Sequence, residues 1–240
     1  MASQRSDIRE IHYVFRVQDV FGDVKKPLDR WLLTVSVIHN DAYYLWHNLE
    51  VRSPWAASLA LHIERSFLLR MALTVLFEAK DVFISPDKPI QSDVARLIDH
   101  VGQENPDVLQ AMERLQNDYR DGFLSEGRSA ELRNMTVHYR YSPIPKTIWK
   151  AVKRLKEAEM VHSYGDSRMY LDVMEQAMYE VYLKRAHEEI FRALSDLIEV
   201  SHEILRVTIF ERTTQDTLRV HYIQGDAQKI EGLPGFSEKE

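Results

Sequence analysis

Phe67-Leu68-Leu69-Arg70-Met71-Ala72-Leu73-Thr74-Val75-Leu76-Phe77 is the longest apolar run of the chain, and it decides the fold class. A four-residue spacing places Ile63, Phe67, Met71 and Val75 along one side of a predicted helix. The second half of this helix is apolar nearly all round, which is typical of the most buried helix of a domain. The run is too short to cross a bilayer and contains Arg70, so we expect no membrane segment here.

Helical patterns flank this run on both sides. Ser53-Pro54 predicts the start of the helix that contains this run, because Ser caps a helix and Pro is favoured in its first turn. Ser85-Pro86 predicts the end of the same helix, because Pro cannot continue one. A preceding helix is predicted from residue 27 to about 50, with apolar positions at Leu32, Val35, Ile38, Ala42, Leu45 and Leu49. Two shorter helices follow, one over about 90–101 and one from Asn105-Pro106 to Tyr119. The second of these directs Val108, Met112, Leu115 and Tyr119 inward.

The C-terminal half predicts further helices and a small sheet. Ser125 or Ser129 begins a helix that ends before Pro143, and a basic helix runs from 146 to about 162, closed by Gly165. Asp166 caps a long helical region to about 205. Residues 206–211 and 217–223 alternate as a β-hairpin, which we expect to pair with a strand at 11–17.

This pattern predicts a mainly α protein, an antiparallel helical bundle with a small antiparallel β element formed by the termini. We divide the chain into an N-terminal segment (1–26), a helical domain (27–205), a hairpin (206–223) and a flexible tail (224–240).

Composition excludes several functional classes. The chain has 240 residues, 45% hydrophobic content, no cysteine and a net charge of −6. It therefore has enough apolar side chains for a core, and it lacks thiolate sites and disulfides. The N-terminus has no apolar signal segment, so we expect a cytoplasmic protein. The negative charge argues against a general nucleic-acid coat protein but leaves room for a local basic cleft.

One stretch combines side chains of catalytic type on an amphipathic helix. In Arg133-Asn134-Met135-Thr136-Val137-His138, the residues Asn134 and His138 lie one turn apart, with Arg133 beside them. The apolar residues of the same helix fall on the opposite side. We therefore expect the Arg, Asn and His side chains to face outward together.

This stretch resembles the signature of the HEPN superfamily, an Arg, a polar residue that is often Asn, a short spacer and a His. The resemblance implies an all-helical homodimer with metal-independent endoribonuclease activity, no cofactor, and a toxin or anti-phage role in which an antitoxin or regulatory partner takes part. It implies Arg133, Asn134 and His138 as the catalytic residues. A subgroup of the superfamily has Tyr two residues after the His; here Arg140 holds that place, between Tyr139 and Tyr141.

The resemblance also implies auxiliary roles for two further sets of residues. Tyr139 and Tyr141 are one set, and a Glu-x3-Lys-Arg pattern supplies the other, Glu180, Lys184 and Arg185. A Glu with a Lys four residues later is also the commonest stabilising pair on a solvated helix.

The same residues suit RNA cleavage chemically. RNA supplies its own nucleophile, the 2′-hydroxyl, and a histidine near neutral pKa can move the protons. An arginine fork binds the phosphate and stabilises charge on its oxygens. We expect the basic face of the next helix to bind the RNA backbone, through Lys146, Lys150, Lys153 and Arg154. The alternative for that face is an ordinary solvated helix surface.

Two other classes of function compete with this interpretation. One is a non-catalytic homodimeric binding module, suggested by Met169, Met174 and Met178 on the last long helix. The other is a metal-binding bundle built on Glu-x-x-His pairs, as at Glu159/His162 and Glu199/His202. His39, Asp41 and His47 on the first long helix are also of metal-ligating type, although polar positions on an amphipathic helix explain them as well.

Overall fold

Six helices hold most of the residues described by the computed structural model, which covers 8–14, 17–22, 25–51, 59–125, 163–165, 168–170, 184–213 and 219–224. The protein is mainly helical in this part of the chain. The helices are α1 (Val17–Phe21), α2 (Pro27–Val51), α3 (Leu59–Ala79), α4 (Gln91–Glu104), α5 (Pro106–Arg120) and α6 (Lys184–Arg212). Not one of the helices described here is long and apolar enough to span a membrane.

In the described part of the chain, four short strands form two separate antiparallel pairs. β1 (Ile8–Val14) pairs antiparallel with β4 (Arg219–Gln224), with His12 opposite His221 and Val14 opposite Arg219. β2 (Ser163–Gly165) pairs antiparallel with β3 (Arg168–Tyr170). The predicted hairpin at 206–223 is wrong in its first arm, because 206–211 belong to α6, which continues to Arg212.

The prediction that Asp166 caps a long helix is also wrong. Residues 168–170 lie in β3, and the helix begins at Lys184. Gly165, which was predicted to close the basic helix, lies in β2 together with Ser163 and Tyr164. A sequence pattern with helical spacing does not exclude a short strand pair, because three-residue strands carry almost no periodicity of their own.

The predicted face of α2 is confirmed. The six apolar positions that recur every three or four residues are all buried, namely Leu32, Val35, Ile38, Ala42, Leu45 and Leu49. The helix begins at Pro27 and ends at Val51, as its pattern predicted. Burial of this continuous apolar stripe fixes the rotation of α2, so its polar positions must face away from the core.

The predicted face of α3 is wrong. Phe67 is 48% exposed and Met71 38% exposed, whereas Leu69, Leu73 and Leu76 are fully buried. A helix that is apolar all round gives little information about its rotation, because any face can bury leucines. Packing against α2 and α6 selects the leucine face and leaves Phe67 and Met71 at the surface.

The ends of the next helices agree with the sequence. After α3 a π-helical turn spans Lys80–Ile84, and Ser85-Pro86 ends it. Asn105 caps α5, its side-chain oxygen accepting a hydrogen bond from the backbone N–H of Asp107 at 3.2 Å. All four residues predicted to point inward on α5 are buried, namely Val108, Met112, Leu115 and Tyr119.

The central helix of the described part is α6 and not α3. It packs against α1, α2, α3, α4 and α5. Its buried residues follow a helical spacing that includes Ile190, Leu194, Leu197 and Ile204, all of them fully buried. Charged residues interrupt the apolar stripe of α6, so its central position is less evident from the sequence than that of the uniformly apolar α3.

Those charged residues join α6 to its neighbours. Arg114 of α5 makes a fork to Asp196 of α6, with Nη2–Oδ1 2.6 Å and Nε–Oδ2 3.1 Å. In the reciprocal pair, Arg192 of α6 binds both carboxylate oxygens of Asp118 of α5, at 2.8 and 2.7 Å. Arg212 closes the far end of α6 onto Asp29 of α2 at 2.7 Å. Each carboxylate is nearly buried, and each partner arginine satisfies it while remaining partly in solvent.

Candidate functional site

The residues predicted to cleave RNA lie outside the described part of the chain. This holds for Arg133, Asn134 and His138, for the basic set Lys146, Lys150, Lys153 and Arg154, and for Tyr139, Tyr141 and Glu180. Lys184 and Arg185 form the first turn of α6. The Glu159/His162 pair also lies outside the described residues, as do Met174 and Met178 of the binding-module hypothesis. Met169, the third methionine of that hypothesis, lies in β3.

Within the described helices, α2 presents a row of rings on its polar side. His39, Tyr43 and His47 follow one another at four-residue spacing, so they lie one above the other on the helix. The His39 and Tyr43 ring centroids are 6.4 Å apart with an interplanar angle of 23°, and those of Tyr43 and His47 are 6.2 Å apart at 9°. The result is a ladder of nearly parallel rings, with Tyr43 53% exposed.

A cleft of about 400 Å³ lies beside Tyr43 of this ladder, between α2 and α6. The α2 wall consists of Tyr43 and Trp46, whose centroids are 6.5 Å apart at 29°. The α6 wall consists of Ser195, Ile198, Glu199, His202 and Glu203. Because Ser195, Glu199 and His202 are exposed, the cleft opens to solvent on its α6 side.

No family model, curated protein or solved structure matches the chain.

His39 is fixed at the inner end of the ladder by a serine of α6. Its Nδ1 lies 3.0 Å from Oγ of Ser201, and that hydroxyl donates to the carbonyl oxygen of Leu197 at 2.6 Å. Since the hydroxyl has one proton and uses it on the carbonyl, His39 must donate from Nδ1. Burial, and then the nearby His202 ring, lower the pKa of His39 below its ordinary value of 6.5.

A second histidine near the start of α6 faces a buried arginine. Nη2 of Arg65 lies 2.6 Å from Nε2 of His187. Arginine has only donors, so Nε2 of His187 accepts and the ring is neutral. Burial, followed by the Arg65 charge, lowers the pKa of His187. Stacked rings then lead from His187 through Phe191 to Trp46, at 6.4 and 5.5 Å, which links this pair to the wall of the cleft.

The described residues do not assemble a metal site. No three His, Asp or Glu side chains among them converge so that they could hold an ion. His202 and Glu199 line the same cleft, but Nε2 of His202 lies 3.8 Å from Glu203 instead. His39 and His47 of the predicted metal candidates belong to the ring ladder.

The cleft was not predicted from the sequence. The sequence contains the four-residue repeat of His39, Tyr43 and His47. Aromatic and histidine side chains on an amphipathic helix do not indicate a cleft until the helix that packs against them is known. The second wall lies more than a hundred residues later, on α6. Only the packing of α2 on α6 brings the two halves together.

Proposed function

We propose that the protein is a metal-independent endoribonuclease of HEPN type. The observation that carries the proposal is the Arg133-Asn134-x3-His138 signature in a mainly helical chain. Histidine supplies a group that exchanges protons near neutral pH, and arginine supplies a fixed cation for the phosphate. No other stretch of the sequence brings these residue types together in this order beside an Asn.

The reaction is an internal transesterification. The 2′-oxygen loses its proton and bonds to phosphorus, while the bond from phosphorus to the 5′-oxygen breaks and that oxygen takes up a proton. The products are a 2′,3′-cyclic phosphate and a 5′-hydroxyl. His138 moves the protons, Arg133 binds the phosphoryl oxygens as charge builds up on them, and Asn134 orients His138. A homodimer supplies a second His138, so that one ring acts as base and the other as acid.

The helical packing supports an antiparallel HEPN-like bundle. Along α5 the paired residues run from Arg114 to Asp118, while their partners on α6 run from Asp196 back to Arg192. Residue numbers that rise along one helix while they fall along its partner indicate an antiparallel pair. In the proposal, the basic set Lys146, Lys150, Lys153 and Arg154 binds the RNA backbone, and an antitoxin or regulatory partner controls the activity.

Cleavage assays with matched variants test the proposal. Single-stranded and structured RNA are incubated with the full chain in EDTA, and the products are mapped for cyclic-phosphate ends. We expect His138→Ala and Arg133→Ala each to reduce the cleavage rate by about a hundredfold or more. His12→Ala is the control, because Arg5 and His12 repeat the Arg-to-His order without the adjacent Asn.

Two outcomes separate the hypotheses. Cleavage that persists unchanged in His138→Ala and Arg133→Ala would exclude the site. A stable dimer that cleaves no RNA favours the second candidate function, a non-catalytic binding module. Exposed apolar side chains of the described helices also favour that candidate, since Val37 and Tyr44 on α2 are 58% and 62% exposed.

A further inference from the structure

We propose that the cleft between α2 and α6 binds an organic cation, an alkylammonium or guanidinium group, with its apolar part on the Tyr43 and Trp46 rings and its charge at Glu199. This site does not depend on the proposed RNA cleavage. Its volume of about 400 Å³ lies in the range of small-ligand sites.

The aromatic wall supplies the first half of the argument. Tyr43 and Trp46 both line the cleft, and the exposure of Tyr43 leaves its ring available to a ligand. An aromatic face is negatively polarised and attracts a cation within about 6 Å of its centroid. The chain already contains such a contact elsewhere, where the Arg70 guanidinium lies 5.9 Å from the Phe67 ring centroid.

The charges on the opposite wall supply the second half. Glu199 and Glu203 both line the cleft. Nε of Arg206 binds Glu203 at 2.8 Å. Arg114 forms its hydrogen bonds with Asp196, and its charge also acts on Glu199 nearby. Glu199 is exposed at the mouth of the cleft and is the carboxylate that a bound cation meets.

The same charges disfavour an anion. A phosphate in the cleft would lie beside the Glu199 carboxylate in a partly apolar setting, where like charges repel more strongly than in water. Arg206 offsets the charge of the second carboxylate, Glu203. A cation gains from the rings and from Glu199 at once. The bound group is a free amine or the side chain of a Lys or Arg from a partner, because both have the same charged end and apolar stem.

The test is a titration of the full chain, with the amide NMR spectrum recorded at each concentration of the added probe. The probes are spermidine, an acetylated tri-lysine peptide, and adenosine monophosphate as the anion. We expect saturable shifts at Tyr43, Glu199 and His202 with a cationic probe. Tighter binding of spermidine indicates a free amine, and tighter binding of the peptide indicates a partner side chain.

Matched variants locate the site. Tyr43→Leu removes the ring and Glu199→Gln removes the charge at nearly constant shape, and we expect each to weaken cation binding about two- to fivefold. Tyr43→Phe keeps the ring and should bind as the wild type does, as should Tyr44→Leu at the neighbouring exposed position. The proposal is overturned if neither cation saturates, if Tyr43→Leu and Glu199→Gln bind unchanged, or if the nucleotide binds the cleft more tightly than the cations.

Discussion

Burial and the neighbouring His202 ring decide the protonation state of His39, at the inner end of the ring ladder. The Ser201 hydroxyl accepts from Nδ1 of His39 and donates to the carbonyl oxygen of Leu197, so it fixes the orientation of the ring. A second proton would bring charge into a partly buried position beside His202. The fold therefore favours the neutral form.

This preference predicts an acid-dependent loss of stability. The pKa of His39 is lowered in the folded protein, so below the ordinary value of 6.5 the unfolded chain binds the extra proton more readily. The free energy of unfolding should therefore fall as pH drops below 6.5. His39→Gln keeps a hydrogen-bond donor but does not titrate, so urea unfolding between about pH 5 and 7 should show a flatter decline.

His100→Gln is the comparison for this experiment. The Nε2 atom of His100 lies 2.8 Å from Oε1 of Glu211 on the protein surface, away from the His39 site. Its replacement should not flatten the acid decline. The same flattening in both variants would show that the His39 site is not its source.

At the scale of single helices, α3 shows how far an apolar pattern determines a buried face. Leu68, Leu69, Leu73 and Leu76 are buried, whereas Phe67 and Met71 of the four-residue stripe in the sequence are exposed. On α2, polar residues border the apolar stripe on both sides and leave only one rotation that buries it. On α3, the nearly continuous apolar surface allows several rotations, and the neighbouring helices select among them.

A pair of substitutions on α3 tests this orientation. Leu69→Ala deletes a fully buried side chain and should lower the free energy of unfolding by about 2–5 kcal/mol. Met71→Ala deletes a side chain of similar length that is 38% exposed, and should cost about 1 kcal/mol or less. Chemical denaturation measures both. Equal losses, or a larger loss for Met71→Ala, would mean that α3 is rotated differently.

At the scale of the molecule, α6 connects the described helices. It packs against the other five, and its Arg192, Asp196 and Arg212 pair with α5 and α2. Burial raises the pKa of Asp118, and the Arg192 fork opposes that rise. The carboxylate therefore depends on its arginine to remain charged at this position.

Removal of that arginine should destabilise the whole helical core. Arg192→Ala leaves the Asp118 carboxylate nearly buried without its fork, and we expect a loss of about 2 kcal/mol in the free energy of unfolding. The double variant Arg192→Ala/Asp118→Ala should recover part of this loss, because it removes the unsatisfied charge. Denaturation of the four proteins in the cycle gives the coupling directly. Additive losses would show that the pair contributes nothing as a pair.

Local sequence patterns were enough to predict the helical class, the extent of α2, the Asn105 cap and the inward face of α5. These features are local, since spacing and capping residues act within one or two turns. The sequence also supplied the Arg133-Asn134-x3-His138 signature on which the proposed function rests.

Tertiary structure alone decided the rotation of α3, the extension of α6 to Arg212, the reciprocal arginine–aspartate pairs and the cleft between α2 and α6. Each depends on residues far apart in the chain, so no local pattern specifies it. The pairs and the cleft exist only because burial of two apolar stripes brings their polar edges together. The physical reason is that apolar burial depends on area and not on direction, so packing selects the partners.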